Sequence, residues 1–131
     1  MPARRTVAAL ATLTTIGLVG SAQAAWGAPR PAARGELNGP WGLAQVPAGF
    51  GTLTGKLLLG NFGDGRIGVY DPNENHFFGF LRGENGRPVQ IERLWALLPG
   101  TATTGGTDAI WFSAGIGNKM HGLVGTFKAA P

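Results

Sequence analysis

Asn61, Asp64 and Asp71 lie close together around a Gly-rich stretch of the chain. Carboxylate and amide oxygens are the ligands Ca²⁺ takes, about six to eight at a time. The same residues are turn formers: Asp64 precedes Gly65, and Asp71 opens an Asp-Pro turn. Neither EF-hand spacing nor a Gly-rich Ca²⁺ repeat accompanies them. The turn role is therefore expected, no cofactor is required, and Ca²⁺ is the one ion the set would suit. His76 and His121 are 45 residues apart. A His general base needs an orienting partner and a nucleophile within hydrogen-bond reach. Ser113, in Phe112-Ser113-Ala114-Gly115, does not sit in a G-x-S-x-G elbow, so no catalytic residue is assigned. The stretch Gly60 to Gly68 lacks a following Gly-Lys-Ser/Thr and opens no helix, which excludes a phosphate loop. The polar residues a ligand is expected to meet are Asn61, Asp64, Arg66 and His121. Trp41, Trp95 and Trp111 are of a type that stacks on a sugar ring or a base. Two of them recur at a fixed spacing, so a core role is expected instead.

The elements that must position these residues read as strands and turns. From Asn38 onward short apolar runs alternate with Gly, Pro, Asn and Asp, and no stretch keeps a helical period. Strands are expected at Pro40–Val46, Lys56–Phe62, Arg66–Asp71, His76–Arg82, Val89–Leu98, Asp108–Ala114 and His121–Lys128. Asp64-Gly65 is expected to form a tight hairpin turn with positive φ. Strict alternation places Ile67 and Val69 on one face, Phe78 and Phe80 on one face of the next strand, and Phe77 and Leu81 on the other. Apolar residues on both faces imply a sheet covered on both sides.

The strand pattern repeats. Pro40-Trp41-Gly42-Leu43-Ala44 is echoed by Leu94-Trp95-Ala96-Leu97-Leu98, 54 residues on. Leu57 to Phe62 is echoed by Trp111 to Ile116, and Ile67 to Tyr70 by Leu123 to Thr126. A period near that of known blades, with four strands per unit, implies an all-β fold, a partial β-propeller. It would hold about two four-stranded antiparallel blades, about 38–87 and 88–131, the second lacking its outer strand. That strand's absence leaves an open edge, and self-association through it is expected.

The composition agrees. There are 23 Gly and 9 Pro among 131 residues, against average Gly usage of about 7%. There is no Cys, which excludes disulfides, thiolate metal sites and a Cys nucleophile. Residues 1–24 read as a secretory signal: Arg4-Arg5, an uncharged apolar run from Thr6 to Gly20, and Ala22-Gln23-Ala24 before the cut. The apolar run is shorter than the ~20 residues of a helical span. Export is therefore expected, with no membrane association after cleavage. Residues 25–37, with Pro29 and Pro31, read as a linker. Loss of Arg4 and Arg5 lowers the formal charge from +4 to +2. The remaining basic residues are interleaved with acids, so no nucleic-acid partner is expected.

Pro40-Trp41-Gly42-Leu43-Ala44, then Asn61-Phe62-Gly63-Asp64-Gly65-Arg66-Ile67, then Tyr70-Asp71-Pro72 resemble a blade of the NHL and gluconolactonase-like propellers. With Gly83-Glu84-Asn85-Gly86 and Phe112-Ser113-Ala114-Gly115-Ile116, the chain over about 37–128 is similar to the C-terminal end of an uncharacterised exported bacterial family. Some members of that family carry a PEP-CTERM tail. Thr126 to Pro131 shows no such tail, and family members look like complete, longer propellers. The resemblance thus implies a truncated member acting as an exported binding or scaffold module. Its alternatives are a Ca²⁺-assisted lactonase or hydrolase, as gluconolactonase-like propellers would imply, and a gene remnant without function.

Overall fold

The computed structural model describes residues 35–74 and 76–130. The expected signal and most of the expected linker lie outside the described residues. Seven strands build two antiparallel sheets. The first is a four-stranded meander of β1 (Pro40–Gln45), β2 (Leu57–Asn61), β3 (Ile67–Asp71) and β4 (His76–Phe80). The second is a three-stranded meander of β5 (Leu94–Pro99), β6 (Ala109–Gly115) and β7 (His121–Lys128). The fold is all-β, with two partial blades that do not close on each other.

Pairing register explains which side chains are buried. Ala44 lies opposite Leu58, and Leu58 opposite Val69; Gly42 lies opposite Gly60, and Gly60 opposite Ile67. These rows form the inner face of the first sheet. Against them pack Leu94, Leu97 and Ile110 of the second sheet. Leu58, Ile67, Leu94 and Ile110 are fully buried, each worth about 1.5–3 kcal/mol of transfer free energy. The Gly42–Gly60 pair makes this contact possible. A Cβ on Gly42 would come within 2.6 Å of the Trp95 carbonyl and 2.9 Å of the Leu97 amide nitrogen. One on Gly60 would come within 2.9 Å of a Leu94 methyl. Two facing residues without side chains thus let β5 lie on β1 backbone to backbone.

Three irregularities break the strict alternation. On β1 the register shifts between Pro40 and Gly42, so Trp41 is an extra residue. On β5 it shifts between Leu94 and Leu97, and both leucines therefore face the core despite their odd spacing. On β4 the shift falls opposite Val69 and Tyr70, where Gly79 takes φ 116°. A β-bulge reverses the facing of the residues beyond it. Phe77 and Phe80 consequently share a face, with ring centroids 5.3 Å apart, and Phe78 is exposed. This corrects the expected pairing of Phe78 with Phe80.

The connection between the sheets is stitched to the first one. Leu81 N–H donates to the Ile67 carbonyl, Val89 N–H to that of Leu81 and Ile91 N–H to that of Gly65. Arg93 then takes φ 53°, which breaks the extended run, so β5 begins at Leu94 and not at Val89.

Candidate ligand-binding face

The β2–β3 turn holds three of the residues expected to meet a ligand, and each is already engaged. Asn61 is buried; its amide donates to the Glu36 carbonyl at 2.8 Å and accepts the Asn38 N–H at 3.0 Å. It pins the incoming chain to β2. Asp64 accepts the Arg66 backbone N–H at 3.0 Å and its guanidinium through Nε at 2.9 Å and Nη2 at 2.8 Å. Desolvation works to raise the Asp64 carboxyl, but the Arg66 N–H and guanidinium, helped by Asn38, outweigh it and hold the pKa below the usual value. The Arg66 guanidinium also lies 4.0 Å from the centre of the Phe80 ring. Within the turn Gly65 N–H donates to the Asn61 carbonyl, and of Asp64 and Gly65 only Gly65 takes positive φ. The tight two-residue Asp-Gly hairpin is thus replaced by a wider loop.

Asp71 belongs to the next turn. Its carboxylate accepts Lys56 Nζ at 2.5 Å, Asn73 N–H at 2.8 Å and Glu74 N–H at 3.2 Å. The Lys56 ammonium first, then the Asn73 amide, hold its pKa below the usual carboxylate range. Asp64 and Asp71 are thus satisfied by separate cations. No group of three or more His, Cys, Asp or Glu side chains that could hold a metal occurs among the described residues.

Aromatic side chains gather where the first strands of the two sheets meet. Trp41 and Trp95 have ring centroids 5.3 Å apart, and Phe62 sits 6.2 Å from one and 5.8 Å from the other. Trp41 is 65% exposed and Trp95 40% exposed. The expected core role therefore fails for this pair. Each tryptophan stands on a bulge in the first strand of its sheet, and bulges re-aim side chains. Here they turn two indoles out of the core and toward each other. The Arg93 guanidinium lies 5.2 Å from the centre of the Phe62 ring and completes the patch. Trp111 is different: it is half-buried, and its indole N–H donates to the Thr104 carbonyl at 3.0 Å.

Beside Trp95 opens a cleft of about 240 Å³, lined also by Ser113, Lys119 and His121. The β6–β7 turn shapes it. Gly117, Asn118 and Lys119 are all left-handed, with φ of 61°, 55° and 69°. Non-glycine residues in that region cost roughly 1–3 kcal/mol each and persist only where surroundings hold them. Glu92 does the holding: its carboxylate accepts the Gly117 N–H at 3.3 Å and the Asn118 N–H at 2.9 Å. These two backbone bonds, Asn118's above all, keep its carboxyl ionised below the usual range. His121 is thereby drawn to a site separate from Asn61, Asp64 and Arg66, none of which lines the cleft. Sequence reasoning missed Phe62, Arg93, Glu92 and Lys119. The sequence signals for the site were the recurrent tryptophan and His121.

No family model matches the chain, and no solved structure matches it. Two uncharacterised proteins of Acanthamoeba polyphaga mimivirus are similar to it. One is 38% identical over 93 residues, 71% of this chain and 24% of its own length. The other is 37% identical over 93 residues, 71% of this chain and 22% of its own length. The chain thus spans about a quarter of the curated relatives it matches. These relatives are viral, which overturns the expected membership of a bacterial NHL or gluconolactonase-like family.

Proposed function

We propose that the chain is an exported, propeller-type binding module whose ligand lies on the Trp41–Phe62–Trp95 face. One observation carries the reading. Two exposed indoles, contributed by different sheets and each set on a bulge, meet at 5.3 Å on a rigid strand framework. Exposed aromatic surface of that kind costs free energy in water unless a partner covers it. Bulges are over-represented at sheet edges and next to active sites, where they re-aim side chains. A lactonase role came only from the bacterial resemblance and is not carried forward.

The test is a panel of soluble oligosaccharides, nucleosides and proline-rich peptides, followed by tryptophan emission. We expect at least one member to change the emission of the wild type while leaving Trp41→Ala unaffected. A panel without effect, or one acting equally on the variant, refutes the reading. Export rests on residues 1–24. Mass spectrometry of protein secreted by a bacterial host should find Ala25 at its N-terminus; protein that keeps Met1 or Pro2 and stays inside the cell would refute export.

A further inference from the structure

We infer that the cleft beside Trp95 takes a single pyranose ring bearing a carboxylate, that is, a uronic-acid unit of an acidic saccharide. The inference rests on the binding face proposed above and assigns its ligand class. Size comes first: about 240 Å³ is below the roughly 300–1,000 Å³ of pockets for drug-sized ligands, so the cleft suits one ring of a longer chain. The wall formed by Trp95 offers a flat apolar face, 40% exposed, against which the C–H face of a sugar packs. The lining also carries polar side chains. Ser113 Oγ accepts the Ala96 N–H at 3.3 Å and keeps its own proton to donate. His121 also lines the cleft, and both can meet ring hydroxyls.

The charge follows from what Glu92 is doing. It is the acid that holds this turn, and its two oxygens are occupied by the Gly117 and Asn118 amides. Lys119 forms no ion pair among the described residues, although it lines the cleft. The cleft therefore presents an ammonium without an ion-pair partner among the described residues, on a left-handed residue whose turn Glu92 holds through its backbone. A phosphate would call for successive backbone amides of such a turn, but Glu92 has already taken those of Gly117 and Asn118. What remains is one point charge, which matches a singly charged carboxylate. A nucleic-acid strand would need several cations along a track, and Arg93 is turned toward Phe62.

Isothermal titration of the chain with tetragalacturonate, and with its fully methyl-esterified form, tests this. We expect the acid to bind at least tenfold more tightly than the ester. Lys119→Gln, an exposed substitution, should reduce the acid to the level of the ester. Trp95→Ala should abolish binding of both, with circular dichroism to establish that the variant folds. Equal binding of acid and ester, or an unchanged acid affinity in Lys119→Gln, overturns the inference and leaves the aromatic face standing. Binding of neither saccharide also overturns it. In that case the face itself is judged by the nucleoside and peptide members of the fluorescence panel.

Discussion

Tyr70 shows how a residue can sit well by shape and badly by chemistry. Its ring is buried and packs on Phe77, with centroids 5.1 Å apart, yet its hydroxyl has no hydrogen-bond partner among the described residues. Burial, with the negative charge of Glu36 adding to it, pushes the phenol up to about 12. An unpaired buried hydroxyl bears a desolvation cost. Tyr70→Phe should therefore stabilise the fold by about 1 kcal/mol at neutral pH, read as a higher urea midpoint. The sign at alkaline pH follows from linkage. The unfolded phenol ionises near 10 while the folded one stays protonated to about 12, so the wild type loses stability as pH rises through this window. Tyr70→Phe should remove that loss; a loss of equal size in the variant would refute the account. The candidate residues read from sequence were legible as turn formers. Asn61, Asp64 and Asp71 all spend their polar atoms on the chain around them. Which polar group remained available was not legible, because that depended on Glu92 reaching a turn 25 residues ahead.

At the scale of elements, hydrophobic alternation located every strand, and His121–Lys128 matched the observed β7 end to end. The misses have common physical causes. Bulges on β1, β4 and β5 change facing without changing composition, so alternation misassigned the phenylalanines of β4. The segment from Val89 has a strand's composition but gives its amides to the first sheet. The repeat placed the tryptophans correctly in register, yet recurrence alone could not tell a buried ring from an exposed one. The Gly42–Gly60 pair was invisible to any pattern of apolar residues, and it sets how closely β1 and β5 approach. Gly42→Ala would drive a methyl group against β5 backbone, which cannot yield as a flexible side chain would. We expect a cost of about 1–3 kcal/mol or more, measured as a fall in Tm. Because the change would also separate the sheets at Trp95, the emission of the indole pair should shift. A neutral substitution would refute the backbone contact.

At the scale of the molecule, the two sheets differ in completion. Among the described residues β7 pairs with β6 alone, and its other edge presents free backbone groups. Val124 is 68% exposed on the outer face of that sheet, and Leu98 is exposed on the same face. A groove of about 690 Å³ runs between the end of β7 and Leu53, Leu81 and Val89. Open edges of this sort are templates for pairing with another chain. We propose that residues 25–131 self-associate through β7. Light scattering after size exclusion should show a mass rising with concentration, and Val124→Lys should restore the monomer by charging the strand. A wild-type monomer at every concentration refutes the proposal.

The segment joining the sheets bears on exchange with solvent water. By composition, Gly83-Glu84-Asn85-Gly86 and its flanks look like a loop free to fray. Yet the amides of Val89 and Ile91 are tied to carbonyls of Leu81 and Gly65, and the Gln90 side chain donates to the Asp64 carbonyl. Opening either bond means detaching the connection from the first sheet. In deuterium oxide these two amides should therefore keep their protons on the timescale of the β3 strand rather than that of the surface turns.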